Sequence, residues 1–338
     1  MALRSVWHRR TRRAPFGIPK GFNALMSVSP SPLSESVIVT RLRAAGCVFA
    51  EDEARLLIST ARTPDELGSM VDRRIAGLPL EHVIGWAEFC GLRMAVDPGV
   101  FVPRHRTEFL VRQAAALART TTPTRAADHS DPAAAVPVIV DLCCGSGALG
   151  AALAAALGPV ELHAADIDPA AMRCARLNVA AAGGRVYQGD LFDPLPQALR
   201  GRVDVLLANV PYVPSDEVGL LPQEARVHEA LAALDGGTDG LAVMRRVTAA
   251  APHWLAPGGH LLVETSERQA EAAVEVFTRA GLIARVTEDE ELYATIVIGS
   301  LPTGRPQQPF AGCGEPTPAH RTRRTPTPPP PGGVRAGR

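Results

Sequence analysis

The chain has 338 residues, enough for one large or two medium domains, and its 35 basic and 35 acidic side chains cancel. The balance is uneven: residues 1–26 hold six Lys and Arg and no acid, 301–338 hold six Arg and one Glu, and 27–300 keep a net charge of about −11. An acidic middle argues against a broad phosphate-binding surface, and no run approaches the ~20 apolar residues of a membrane span.

Residues 1–32 mix arginine with Pro, Ser and Gly without a period and read as a disordered basic tail, with Met26-Ser27-Val28-Ser29 as the more ordinary start. Residues 33–78 read as a small helical domain. Val37, Leu42 and Ala45 fall on one face before the stop at Gly46, and Ala54, Leu57 and Ile58 recur at helical spacing. Thr63-Pro64-Asp65-Glu66 combines a cap residue, a proline at the first helical position and first-turn acids, and predicts a helix running to Gly77. Residues 79–106 read as a β-hairpin linker, with Asp97-Pro98-Gly99 as the turn of a hairpin between Phe89 and Val102. A helix over 107–119 and a loop over 120–136, rich in Thr, Ala and Pro, follow.

From 138 to 300 strands and helices alternate. The pattern predicts strands at 138–142, 161–165, 185–188, 203–208, 260–264, 283–287 and 293–299, and helices at 148–157, 169–182, 240–255 and 268–280. Such alternation implies an α/β, doubly wound, mostly parallel sheet covered on both faces. Glu288 to Leu292 is too short for a crossover, so the last two strands should form an antiparallel hairpin at the sheet edge. After Ser300, ten prolines in 38 residues with Arg and Thr describe a disordered tail.

Two stretches carry chemistry. Val138 to Gly150 is an apolar strand ending in Asp141, then a small-residue turn with Gly145 and Gly147, then an alanine-rich helix. Asp166 ends the next apolar run, nineteen residues after Gly147, where a carboxylate commonly holds ribose hydroxyls. The pair predicts an adenosyl site. The six cysteines follow no zinc or thioredoxin spacing, and Cys143 and Cys144 read as small turn residues suited to a reducing cytoplasm. The second stretch, Asn209-Val210-Pro211-Tyr212, follows the strand expected beside the first. The Asn209 amide oxygen and the Val210 carbonyl could accept both hydrogens of a planar NH₂ group while Tyr212 stacks on it. Methyl transfer to an amide or exocyclic amine follows. His82 and His228 are available as bases, but lone histidines are more often structural.

These residues resemble the HemK/PrmC-type family of S-adenosylmethionine-dependent protein-glutamine methyltransferases across about 33–299. The resemblance includes Pro79 to Gly85 with Glu88 to Leu92, Val96 to Val100, Pro103-Arg104, the glycine turn, Asp166-Ile167-Asp168-Pro169, Gly189-Asp190-Leu191-Phe192 and the Asn209 tetrapeptide. Leu234-Asp235-Gly236-Gly237-Thr238-Asp239-Gly240-Leu241 is its most family-specific piece. It implies a helical substrate-recognition domain, a hairpin linker and a class I methyltransferase domain over 107–300 whose sheet has an antiparallel last strand. It also implies methylation of a glutamine side-chain amide in a protein, in known members that of the Gly-Gly-Gln loop of peptide-chain release factors. Carried over by position, Asp141, Cys143, Gly145, Gly147, Asp166, Asp190, Leu191 and Asn209 would hold S-adenosylmethionine, and Asn209, Val210, Pro211 and Tyr212 the glutamine, with no metal.

Three departures mark a paralogue-like member: Cys143 replaces the first turn glycine, Val210 the second residue of Asn-Pro-Pro-Tyr, and Pro103-Arg104-His105-Arg106-Thr107-Glu108 stands for Pro-Arg-Pro-Glu-Thr-Glu. A cytoplasmic monomer, with a protein substrate and neither membrane nor nucleic acid as partner, is the expectation. Its rivals are an adenine methyltransferase acting on DNA or RNA, a nicotinamide-dependent dehydrogenase, and a binding protein that kept the fold. Gly145-Ser146-Gly147-Ala148-Leu149-Gly150 has the Gly-x-Gly-x-x-Gly spacing of such dehydrogenases, so the glycine turn alone does not separate the two classes.

Overall fold

The computed structural model describes residues 33–128 and 136–303; the expected tails before Leu33 and after Thr303 lie outside the described residues. Four helices come first: α1 (Glu35–Ala44), α2 (Ala50–Thr60), α3 (Pro64–Ile75) and α4 (Leu80–Ile84). Ile38, Leu42, Ala54, Leu57, Met70 and Val71 form their core. The inward face of α1 differs from expectation. Val37 and Ala45 are exposed, while Ile38 and Leu42, one turn apart, are fully buried. Ile58 on α2 is likewise more exposed than its neighbours Ala54 and Leu57. The start of α3 is as expected: the Thr63 hydroxyl accepts from the Glu66 amide at 3.1 Å, and the chain leaves through Gly77 at φ +94°.

A hairpin follows, but its turn lies earlier than the sequence suggested. Strands β1 (Trp86–Phe89) and β2 (Leu92–Ala95) are joined by Cys90-Gly91, and Asp97-Pro98-Gly99 makes a separate bend, closed by Val100 N–H on the Asp97 carbonyl at 3.1 Å. A two-residue hairpin turn of type I′ requires positive φ at both positions, met at +51° by Cys90 and +73° by Gly91. Glu108 accepts the Cys90 amide at 2.9 Å and helps hold that strained residue. The expected 120–136 loop is also corrected. Helix α5 runs Glu108–Asp128, since a helix already nucleated extends at little cost, and residues 129–135 lie outside the described ones.

The remainder is β3 (Val138–Leu142), α6 (Ala148–Leu157), β4 (Glu161–Asp166), α7 (Pro169–Asn178), β5 (Arg185–Gln188), β6 (Val203–Ala208), α8 (Gln223–His228), α9 (Ala242–Ala250), β7 (Leu255–Thr265), α10 (Ala270–Arg279), β8 (Ile283–Asp289) and β9 (Ala294–Ser300). The seven-stranded sheet has the order β5-β4-β3-β6-β7-β9-β8, with β9 antiparallel to both neighbours. This is the doubly wound class I methyltransferase arrangement, and the closing hairpin is at the edge as expected. Alternate residues face opposite helix layers. Ile139, Val205, Leu207 and Leu262 pack toward α5, α6 and α7, while Val140, Leu206, Leu261 and Val263 pack toward α9 and α10. Boundaries shift where punctuation intervenes: α9 gives way at Pro252 to a single 3-10 turn, and β7 starts five residues earlier than expected, with a register shift opposite Val203–Val205.

The helical domain is joined to this body by charge. Arg74, its side chain 10% exposed, donates to Glu53 at 2.7 Å and to Glu224 on α8 at 2.7 Å. His82 is buried and bonded through Nε2 to the Val100 oxygen at 2.8 Å, a structural role as the sequence suggested.

Candidate functional site

A cavity of about 1210 Å³ opens at the carboxyl ends of β3, β4, β6 and β7, the place where an open α/β sheet binds ligands. Its first wall is the turn after β3. The Cys144 amide donates to Ala165 O at 3.1 Å and the Gly145 amide to Asp166 Oδ2 at 2.8 Å, so the ends of β3 and β4 are stitched together. Asp166 Oδ1 accepts the Asp168 amide at 2.9 Å, which fixes the carboxylate at the cavity wall. Burial pushes the Asp166 carboxyl above its ordinary pKa. Asp168 caps α7 through Ala170 N–H at 2.8 Å.

Cys143, Gly145, Asp166, Asp190 and Leu191 all line the cavity, and Asp190 is paired with Arg246 at 2.6 Å. Two expected cofactor residues do not. Asp141 is buried beneath the turn, where Oδ2 accepts the Gly150 amide at 2.8 Å, and burial pushes its carboxyl up to about 7. Gly147 faces α7: a Cβ there would meet the Ala175 backbone at 3.1 Å, so its missing side chain serves helix packing rather than ligand approach. Both belong to the support of the turn. Three of the four non-glycine residues with positive φ among those described, Cys143, Leu191 and Tyr293, line this one cavity.

The second wall is the segment after β6. Leu142 pairs with Ala208 and Ala208 with Val263, so Cys143, Asn209 and Glu264 emerge side by side from adjacent strands. Asn209, Val210, Pro211 and Tyr212 all line the cavity. Their backbone is clamped by the glycine-rich run. Gly236 N–H donates to Val213 O at 2.8 Å, and a Cβ on Gly236 would come within 2.7 Å of Pro211 O. A Cβ on Gly240 would come within 2.2 Å of Tyr212 O, which already accepts from Gln269 Nε2 at 2.9 Å. The Tyr212 hydroxyl is anchored: it receives Arg106 Nη2 at 2.6 Å and donates to Glu264 Oε1 at 3.0 Å. Burial pushes this hydroxyl's pKa up, so it remains a donor.

The family model described as the methyltransferase small domain matches residues 132–288. The release factor glutamine methyltransferase of Geobacter sulfurreducens is 39% identical over 64% of this chain and 72% of its own length. That of Mycolicibacterium smegmatis is 36% identical over 76% of this chain and 83% of its own. The chain belongs to this family. A further relative, the 4-amino-L-phenylalanine/4-methylamino-L-phenylalanine methyltransferase of Streptomyces pristinaespiralis, is 34% identical over 72% of this chain and 80% of its own length.

Release factor glutamine methyltransferases of this kind use S-adenosylmethionine, and the cavity fits that group. Asp166, expected to take ribose hydroxyls, lies on its wall, and at Gly145 a side chain would meet nothing within 4 Å, which leaves open space beside the turn. The sequence reading missed Arg106, Glu264, Gln269 and Asn178. Asn178 ties the turn to the hairpin by donating to Ser146 O at 2.8 Å and Ala95 O at 2.9 Å. None has a local motif; only Arg106 left a signal, as a basic residue where the family has an acid.

Proposed function

We propose that this chain is a protein-glutamine N-methyltransferase whose substrate is the glutamine of a peptide-chain release factor. The observation that supports it best is the emergence of Asn209 beside the cofactor turn, with the backbone of 209–212 locked by glycines that admit no side chain. When bound, S-adenosylmethionine supplies an activated sulfonium methyl. The Asn209 oxygen and the Val210 carbonyl hold the two N–H bonds of the target amide and favour a more pyramidal, more nucleophilic nitrogen. Alignment of that nitrogen can supply much of the ~7–11 kcal/mol that orientation makes available. Asp166 and the turn amides orient the cofactor, and the buried walls exclude water.

The helical domain, pinned by Arg74 to Glu224 on the cavity rim, is the part that would recognise the protein around the glutamine. The enzyme would act as a monomer in the cytoplasm, where release factors work. Among the described residues no helix is long and apolar enough to cross a membrane. A net charge of about −11 over 27–300 disfavours a nucleic-acid substrate. The test is incubation with labelled S-adenosylmethionine and a purified release factor, followed by peptide mass mapping. Label on the glutamine of the Gly-Gly-Gln loop is expected. Label only on adenine in added nucleic acid, or only on a small aromatic amine, would overturn the reading.

A further inference from the structure

Glu264 occupies a position that the amide clamp leaves unexplained. It is 2% exposed, yet it lines the cavity. Oε1 accepts from Arg106 Nε at 2.9 Å and from the Tyr212 hydroxyl at 3.0 Å, while Oε2 has no partner among the described residues. Asp141 and Glu229 also bury a carboxylate oxygen without a hydrogen bond, but neither lines the cavity; at Glu264 that oxygen belongs to a cavity-lining side chain, and there it points to a group that arrives with the ligand. The strand order says which ligand. Asp166 is on β4, the cofactor turn follows β3, Asn209 follows β6 and Glu264 is at the end of β7, in that spatial sequence. With strands roughly 4.8 Å apart, Glu264 is the next position beyond Asn209, on the side away from the ribose carboxylate. It therefore faces the acceptor.

We propose that Glu264 is a further catalytic residue, whose Oε2 meets the target nitrogen and takes its surplus proton. This rests on the glutamine-methylation reading above. As the nitrogen lone pair forms the new N–CH₃ bond, the methyl–sulfur bond breaks and its electron pair stays on sulfur, which becomes neutral. The nitrogen is then a cationic, N-protonated amide, a strong acid. The Asn209 and Val210 oxygens hold hydrogens but do not keep a proton at neutral pH. A carboxylate is a far stronger base than either oxygen or the amide nitrogen, so it takes the proton from the N-protonated amide and passes it on to water. Arg106 is a positioning residue here. By occupying Oε1, together with Tyr212, it leaves Oε2 as the oxygen without a hydrogen bond.

The test compares wild type with Glu264→Gln and Glu264→Asp on a purified release factor. Glu264→Gln should lower kcat by about 10²-fold or more, leave KM nearly unchanged, and lose less at high pH, where solvent base substitutes. Glu264→Asp should restore part of the rate. S-adenosylhomocysteine affinity by calorimetry should stay near that of wild type. An unchanged kcat, or a loss of cofactor affinity as large as the loss of rate, would overturn the assignment. Wild type crystallised with S-adenosylhomocysteine and an acetyl-Gly-Gly-Gln amide gives a readout that needs no turnover. The side-chain nitrogen within hydrogen-bond reach of Oε2 is expected, and a nitrogen remote from it sinks the proposal even if Glu264→Gln fails to fold. If wild type labels a different amide or amine instead, the release-factor reading falls and the same Glu264 comparison is made on that acceptor.

Discussion

The two halves of the cavity are built on different plans. The cofactor half comes from three neighbouring strands, β3, β4 and β5, and the turns after them, and both oxygens of Asp166 are met by backbone amides, from Gly145 and Asp168. The acceptor half gathers 106, 209–212, 236–240, 264 and 269 from across the chain and leaves a buried Glu264 oxygen without a partner. A shared cofactor can be held by a local, self-satisfied frame. An acceptor that must be aligned and deprotonated calls for side chains from several elements, partly unsatisfied until it binds.

This contrast can be broken by substitutions that should strike one half only. The largest effect is expected at Asn209→Ala, with methyl transfer falling roughly 10²–10³-fold while S-adenosylhomocysteine binds almost as before. Loss of cofactor affinity in calorimetry would instead place Asn209 in the first half. Asp166→Ala should do the reverse, weakening S-adenosylhomocysteine by about 1–3 kcal/mol for each unpaired ribose hydroxyl. Asp168→Ala, which removes only the cap on α7, should cost about 1 kcal/mol of stability and leave affinity nearly intact. Equal affinity losses at 166 and 168 would dissolve the distinction.

A smaller effect probes the support beneath the turn. Burial lifts the Asp141 carboxyl to about 7, so the folded protein binds a proton that the unfolded chain has already released. Stability from this group is present below about pH 4 and is lost as pH rises through about 7. Asp141→Asn does not titrate and keeps an acceptor for the Gly150 amide. Its thermal midpoint relative to wild type should therefore be higher at about pH 8 than at about pH 5. The same difference at both pH values would count against a buried, uncharged Asp141. The smallest effect belongs to Val210→Pro, which keeps the carbonyl and restores the family's residue; activity should be largely retained, and an inactive, folded variant would show that this position sets the acceptor geometry.

The sequence by itself determined the sheet, because periodicity and glycine punctuation are local signals. Seven strands, the antiparallel closing hairpin and the Asp166 carboxylate are all legible from spacing. Local signals failed where several conformations were compatible. Asp97-Pro98-Gly99 looked like a better hairpin turn than Cys90-Gly91, and only the contact from Glu108 shows why a cysteine holds a left-handed φ there. Val37 and Ile38 are adjacent on α1, and which of them turns inward was decided by α2 and α3 packing on that helix. Gly236 and Gly240 stood out in the sequence, but the carbonyls they pass within a Cβ's reach lie on a segment more than 20 residues earlier. Arg106, Tyr212 and Glu264 meet because the turn before α5, the loop after β6 and the end of β7 converge over the carboxyl ends of the strands, a long-range contact that no spacing encodes. The chain's pattern thus specified a methyltransferase scaffold. The partners of its buried charges, and with them the chemistry of the acceptor side, came from tertiary packing, since a buried carboxylate is defined by what surrounds it in space.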